Sequence, residues 1–163
     1  MFAGLFSFPD PVNEVSSRIL AGCVCAFCLA ALLTDQPWLI AAISYGFVAR
    51  VLTGPSLSPL GQLVTRVLTP LSGLQAAYCP GPPKRFAQAI GAVISASACW
   101  AAFNQYWLAT SMLLIVLALF AFLEAAFGWC AGCRIFSLLI KAGLVPDDVC
   151  QRCNNISKEA PVG

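Results

Sequence analysis

The sequence predicts an all-α integral membrane protein: a four-helix bundle of two helical hairpins, with short interfacial helices and a cysteine-containing C-terminal segment. Three observations carry that prediction. The 163 residues are 60% hydrophobic and 10% charged, whereas a water-soluble domain carries about 25% charged residues, so lipid is the expected solvent for most of the apolar surface. Four apolar stretches, 18–34, 38–53, 86–103 and 107–129, are spaced along the chain, each near the roughly 20 residues that a spanning helix needs. Finally, every basic residue falls on the side shared by the termini and the central loop.

The N-terminal MFAGLFSFPDPVNEVSSR has acids at Asp10 and Glu14 and its first basic residue at Arg18. It lacks the basic start of a cleavable signal peptide, so the first span is expected to be retained. Spans one and two are short. Flanking residues complete them, and the long stem of Arg50 can carry its charge to the interface. TDQP joins spans one and two and NQY joins three and four, each too short for anything but a tight turn. Trp38, Tyr106 and Trp107 sit at these turns, where amphipathic rings favour the headgroup region.

Arg18, Arg50, Arg66, Lys84, Arg85, Arg134, Lys141, Arg152 and Lys158 lie on one side, and the two hairpin turns hold none. The positive-inside rule places that side, with both termini, in the cytoplasm. Between the hairpins, Ser58 as cap and Pro59 at the first helical position open a short helix. Leu60, Leu63, Val64, Val67 and Leu68 form its apolar face, so it is expected to lie on the membrane surface. YCPGPPKR is expected to be non-helical because of its prolines. RIFSLLIKAGLVP repeats the surface-helix pattern, with Lys141 in the last turn, Gly143 as C-terminal cap and Pro146 beyond. Asp147 and Asp148 suit the first turn of a final short helix, and residues from 157 onward are expected to be disordered. Residues 1–163 form one membrane domain without internal repeats, and 130–163 make up its cytoplasmic C-terminal segment.

Small residues recur every four positions at Gly22, Ala26 and Ala30 and at Gly91, Ser95 and Cys99, the spacing of close helix contacts in lipid. Cys23, Cys25 and Cys28 lie within span one and are read as small packing residues. Glu124 is the one acid inside a span. An intramembrane carboxylate is expensive, and Arg50 or Arg134 at the same level is its expected ion-pair partner.

No histidine is present, so any site chemistry falls to Cys, carboxylate, Tyr or backbone. The strongest chemical signal is WCAGCR followed by VCQRCN: Cys130 and Cys133, then Cys150 and Cys153, in the pattern C-x2-C-x16-C-x2-C. That spacing matches a tetrathiolate site for zinc or iron. In the reducing cytoplasm structural disulfides are rare, leaving metal binding or reversible thiol exchange. Cys130 and Cys133 are expected at the C-terminal end of a long helix, where the dipole opposes the thiolate. Cys79 is a further thiol on the same side.

FPDPVNE near the start, GPSLSPLG after span two, PGPPKRFAQAIG before span three and FGWCAGC after span four resemble the domain-of-unknown-function family 4395. The resemblance covers most of the chain. It implies a small multi-pass protein of the bacterial cytoplasmic membrane without an established activity, and makes Cys130 and Cys133 the first positions to test.

Three function classes remain open. The four cysteines bind zinc or iron, structurally or as an electron carrier; or a CxxC pair, Cys130 and Cys133 first, exchanges electrons or sulfur with a soluble thiol or sulfur-carrier protein; or the chain is a structural subunit of a larger membrane complex. Thiol exchange is the enzymatic chemistry left open, since no other catalytic constellation is recognisable. A net charge of +2 gives no reason to expect nucleic acid as a partner.

Overall fold

A computed structural model describes residues 12–75, 77–79 and 81–143. Asn13 caps the first helix, α1 (Glu14–Thr34), its side chain accepting from the Val15 N–H at 3.0 Å. Asp35 ends α1 in the left-handed conformation, its N–H returning to the Ala31 carbonyl. Pro37 then opens α2 (Pro37–Thr53), at a position where its missing N–H costs nothing. Glycine 54 closes α2, and Ser58 caps α3 (Pro59–Leu63) by accepting from the Gly61 N–H, as the sequence predicts.

Past α3 the helix loosens into a π segment, Val64–Leu68, before tightening again in α4 (Thr69–Ser72). Pro70 cannot donate to the Arg66 carbonyl. The turn ahead of it opens instead, with the Thr69 N–H reaching the Val64 carbonyl five residues back. Val64 is fully buried against the bundle while Leu63 and Val67 are exposed, so the packed face of this segment is narrower than the expected apolar stripe.

A two-stranded antiparallel pairing, β1 (Val12–Asn13) with β2 (Tyr78–Cys79), ties the start of α1 to the segment before the next helix. The Glu14 N–H extends it to the Ala77 carbonyl. That helix, α5, runs Gly81–Phe103. It begins five residues before the expected 86. Pro82, Pro83, Lys84 and Arg85 are therefore helical, contrary to expectation: prolines stop a helix from its interior, whereas in the first turn their N–H groups have no partner to lose.

After a turn through Gln105, α6 (Trp107–Phe127) runs back antiparallel. Gly128 stops it in the left-handed conformation, its N–H on the Glu124 carbonyl, and α7 (Ala131–Lys141) starts as a separate helix. Lys141 lies in its last turn and Gly143 takes positive φ just past its end, both as the sequence predicts. The expected final helix and tail lie outside the described residues.

The helices pack in a ring, α1 against α6, α6 against α5, α5 against α2 and α2 against α1. At its centre lie Val24, Cys28, Ile40, Phe47, Ala98 and Leu114. Of the predicted stripe on α5, Gly91 and Ser95 are buried while Cys99 is half-buried and Ala98 takes the packed position. On α1 the buried face is Ala21, Val24, Cys28 and Ala31, and Ala26 is exposed. A four-residue stripe drifts off a straight helix's contact line, which advances by three and four residues in alternation.

The outward surface is apolar: Leu33 is 86% exposed, Leu108 75% and Val93 68%. Side chains of this kind, so exposed, mark lipid as the surrounding medium. α1, α5 and α6 have 21, 23 and 21 residues and are long and apolar enough to cross a membrane. α2, with 17, is shorter, about 26 Å against a hydrocarbon core of about 30 Å. The chain is thus an all-α membrane protein. Arg18, Lys84 and Arg85 sit within the first five residues of α1 and α5, Arg50 in the last turn of α2, and no basic residue occupies the α1–α2 or α5–α6 turns.

Candidate functional site

Three helix ends, β2 and α7 meet at the basic end of the bundle, and the sequence's cysteine signal falls there. Cys130 is the N-cap of α7, with extended backbone (φ −99°, ψ 112°). This corrects the expectation that Cys130 and Cys133 end a long helix. The glycine at 128 breaks the chain between them and α6, and the dipole they feel is the positive N-terminal end of α7, which favours a thiolate.

Cys130 is buried and Cys133 half-buried, both as free thiols. The Cys130 thiol is pulled down to about 7, chiefly by the Cys133 thiol, which donates to it, with smaller help from the Cys133 amide and the Lys84 ammonium, against burial and the Glu124 charge. Cys133 is pushed the opposite way, chiefly because it gives its hydrogen to Cys130 and further because it is buried. The pair is thus asymmetric: one sulfur is prepared as the thiolate, the other as its proton-bearing neighbour.

Glu124 finds a different partner from those expected. Lys84 Nζ lies 2.5 Å from Glu124 Oε1. Ser17 completes the cluster, its hydroxyl donating to the same carboxylate oxygen at 2.6 Å and accepting from Lys84 Nζ at 2.8 Å. One residue each from α1, α5 and α6 is fastened by these bonds. Arg50 instead donates to Gln88 and Ser58, and Arg134 points to the surface. Treating PPKR as non-helical hid Lys84; carried into the first turn of α5, it reaches the carboxylate one turn from the end of the antiparallel α6.

A cavity of about 350 Å³ opens beside Lys84, lined by Glu14, Cys79, Lys84, Cys130, Cys133 and Phe136. Cys79 reaches it through the β1–β2 pairing and donates to the Val12 carbonyl at 3.4 Å. Burial pushes its thiol up, with the Lys84 charge opposing, so among the three thiols at the cavity Cys130 is the one prepared to react.

α7 lies so close to α5 that a Cβ on Gly132 would fall 2.5 Å from the Ala87 Cα. The variant Gly132→Ala is therefore expected to lift α7 from α5, with about 1–3 kcal/mol lost to overpacking, and to slow alkylation of Cys130. Thermal unfolding in mild detergent and thiol labelling at neutral pH read the two effects.

Of the four sequence-predicted metal ligands, Cys130 and Cys133 are brought together, and Cys150 and Cys153 lie outside the described residues. Among the described residues no group of three or more Cys, Asp or Glu side chains is gathered as a metal site.

A family model described as a domain of unknown function (DUF4395) matches residues 12–141. No curated protein sequence and no solved structure matches the chain.

Proposed function

Since the chain belongs to the domain-of-unknown-function family DUF4395, which carries no activity with it, we propose from the site's geometry that the protein is a membrane-bound thiol–disulfide exchange protein working through Cys130 and Cys133. The observation that carries this reading is the position of Cys130: N-cap of α7, with Cys133 three residues on donating to its sulfur.

The reaction balances without any further cofactor. The Cys130 thiolate attacks one sulfur of a partner's disulfide, forming a mixed disulfide and releasing the other partner sulfur as thiolate. Cys133 then loses its proton to water and attacks the Cys130 sulfur. That step closes a Cys130–Cys133 disulfide and releases the partner as a dithiol; run backwards, the same steps oxidise a partner. A soluble protein dithiol or disulfide is the partner class.

Sidedness follows from charge. The end carrying Arg18, Lys84, Arg85 and Arg134 is placed in the cytoplasm of a bacterial inner membrane, with α2 as a fourth, short span. A reducing compartment then keeps the pair available for exchange.

Trapping tests the proposal. With Cys133→Ser the mixed disulfide has no internal sulfur to resolve it, so partner adducts are expected to accumulate on Cys130 and to vanish in Cys130→Ser/Cys133→Ser. Equal trapping by both variants would refute the exchange role of Cys130.

A second reading uses the same two sulfurs. Held one helical turn apart, Cys130 and Cys133 form half of the tetrathiolate chelate that the spacing to Cys150 and Cys153 suggests. Under it, purified protein holds stoichiometric zinc or iron and all four thiols resist alkylation until the metal is removed.

A further inference from the structure

Arg50 carries a buried charge that no carboxylate contacts; the acid whose charge reaches it, Glu124, is already ion-paired with Lys84. It is 4% exposed. Its Nε donates to Gln88 Oε1 at 3.0 Å, its Nη1 to Ser58 Oγ at 3.3 Å, and its Cζ lies 4.5 Å from the centre of the Phe47 ring. All three partners are neutral. Among the described residues the one ion pair is Lys84–Glu124, and Nη2 of Arg50 makes no hydrogen bond to a described residue. A guanidinium has five N–H donors in a planar fork, and burying its charge without a counter-ion is strongly unfavourable. The surroundings therefore call for an anion.

Arg50 walls a cavity of about 110 Å³ that also holds Glu124, and two others that hold no acid. One of these two, of about 190 Å³, is lined by Arg50, Lys84, Ser16, Ser17, Thr65 and Gln88 on its polar side, and no carboxylate faces it. Lys84 is already matched by Glu124, so the net charge of this cavity rests on Arg50. The other, of about 330 Å³, is apolar and runs between Ile43, Leu60, Phe27, Tyr45 and Leu63. Its last three residues are exposed on the outward surface of the bundle. A pocket with Arg50, Lys84 and three hydroxyls on its polar side thus adjoins an apolar slot open toward lipid.

We propose that Arg50 anchors a binding site for a phosphate-class oxyanion, seated in the polar cavity, with an acyl chain of an anionic lipid lying in the apolar one. The fork of Arg50 matches two oxygens of a phosphate group. Ser16 can supply a further donor, with Thr69 as the donor between the two hydroxyls, whereas Ser17 and Thr65 already donate to Glu124 and the Gly61 carbonyl. The apolar slot favours a lipid phosphodiester as the source, and free phosphate is the other source of the same chemistry. This site is separate from the thiol pair and does not depend on it.

Thermal unfolding and native mass spectrometry of the full chain in mild detergent test the proposal, with phosphatidylglycerol, phosphatidylcholine or inorganic phosphate added. Phosphatidylglycerol is expected to raise the melting temperature and to remain bound, and phosphatidylcholine to do neither. A rise with inorganic phosphate alone assigns the site to the free anion; none assigns it to the lipid.

Arg50→Lys keeps the charge but loses the fork, and is expected to bind about tenfold more weakly. Thr65→Phe fills the rim of the polar cavity without touching Arg50 and is expected to abolish the response. Arg66→Gln, an exposed charge next to that rim, is expected to leave it unchanged. Arg50→Gln is expected to remove binding altogether, and if it does not fold, Arg50→Lys and Thr65→Phe decide. Equal responses to the two lipids, or phosphatidylglycerol binding unaltered in both Arg50→Lys and Thr65→Phe, would overturn the proposal.

Discussion

Alkylation of Cys130 is expected to follow a titration centred near pH 7, and substitution of Cys133 by valine to move that midpoint back toward the ordinary thiol range. The reacting species is the thiolate. With its thiol pulled down to about 7 by the Cys133 thiol first, Cys130 is about half ionised at neutral pH, whereas an ordinary thiol is ionised to the extent of a few per cent or less. Valine fills the place of Cys133 without donating. The thiolate fraction at pH 7 then falls steeply, while each remaining thiolate is more nucleophilic because its pKa is higher; with a Brønsted slope of about 0.4–0.5 the net slowing is on the order of tenfold. Labelling across pH 5.5–9.5, with peptide mass spectrometry to separate Cys130 from the other thiols, gives the profile. The sign of the linked stability follows. A thiol lowered in the folded state stabilises the fold fully above its unfolded pKa, and that contribution is lost as pH falls through about 7. A wild-type midpoint near 9, unmoved by the valine, would remove the basis for assigning exchange chemistry to this pair.

The features visible in the sequence were those that depend on local chemistry: the caps Ser58 and Gly143, Pro59 at the start of α3, the apolar runs and the one-sided distribution of charge. What it concealed depends on where one helix stops and another starts. FGWCAGC continues the apolar run of α6, so hydropathy alone extends that helix to 129. The glycine at 128, in the left-handed conformation, breaks it two residues before Cys130 and reverses the dipole at the first cysteine. Pro82 and Pro83 misled in the opposite sense, because a proline pair reads as loop unless the helix begins at the residue just before it. That choice fixed whether Lys84 belonged to the bundle. The third gap is tertiary. No periodicity pairs Val12 with Cys79, yet that short β contact carries Cys79 to the same cavity as Cys130.

Lys84→Met is expected to be the most destabilising single substitution at this end of the bundle. The side chains of Lys84 and Glu124 are only 8% and 16% exposed, and removing one partner of a buried pair leaves the other charge uncompensated, at about 3–5 kcal/mol. Ser17 cannot replace the lysine, since it already donates to Glu124 and carries no charge. The complementary change, Glu124→Gln, leaves the ammonium to Ser17 alone and is expected to cost a similar amount. In Lys84→Met/Glu124→Leu neither charge remains, and much of the loss is expected to return, because apolar side chains of similar volume often replace a buried pair without penalty. Cys130 reports on the same cycle. Lys84 draws its thiol down and Glu124 pushes it up, so the labelling midpoint should rise in Lys84→Met and fall in Glu124→Gln, with the double variant between the two. Unfolding in mild detergent and the labelling profile therefore test one contact by independent routes. If Lys84→Met changed stability by less than about 0.5 kcal/mol, the size of an ordinary surface substitution, then the clasp across α1, α5 and α6 would not be what holds Cys130 in place, and the close seating of Gly132 on Ala87 would be left to do so alone.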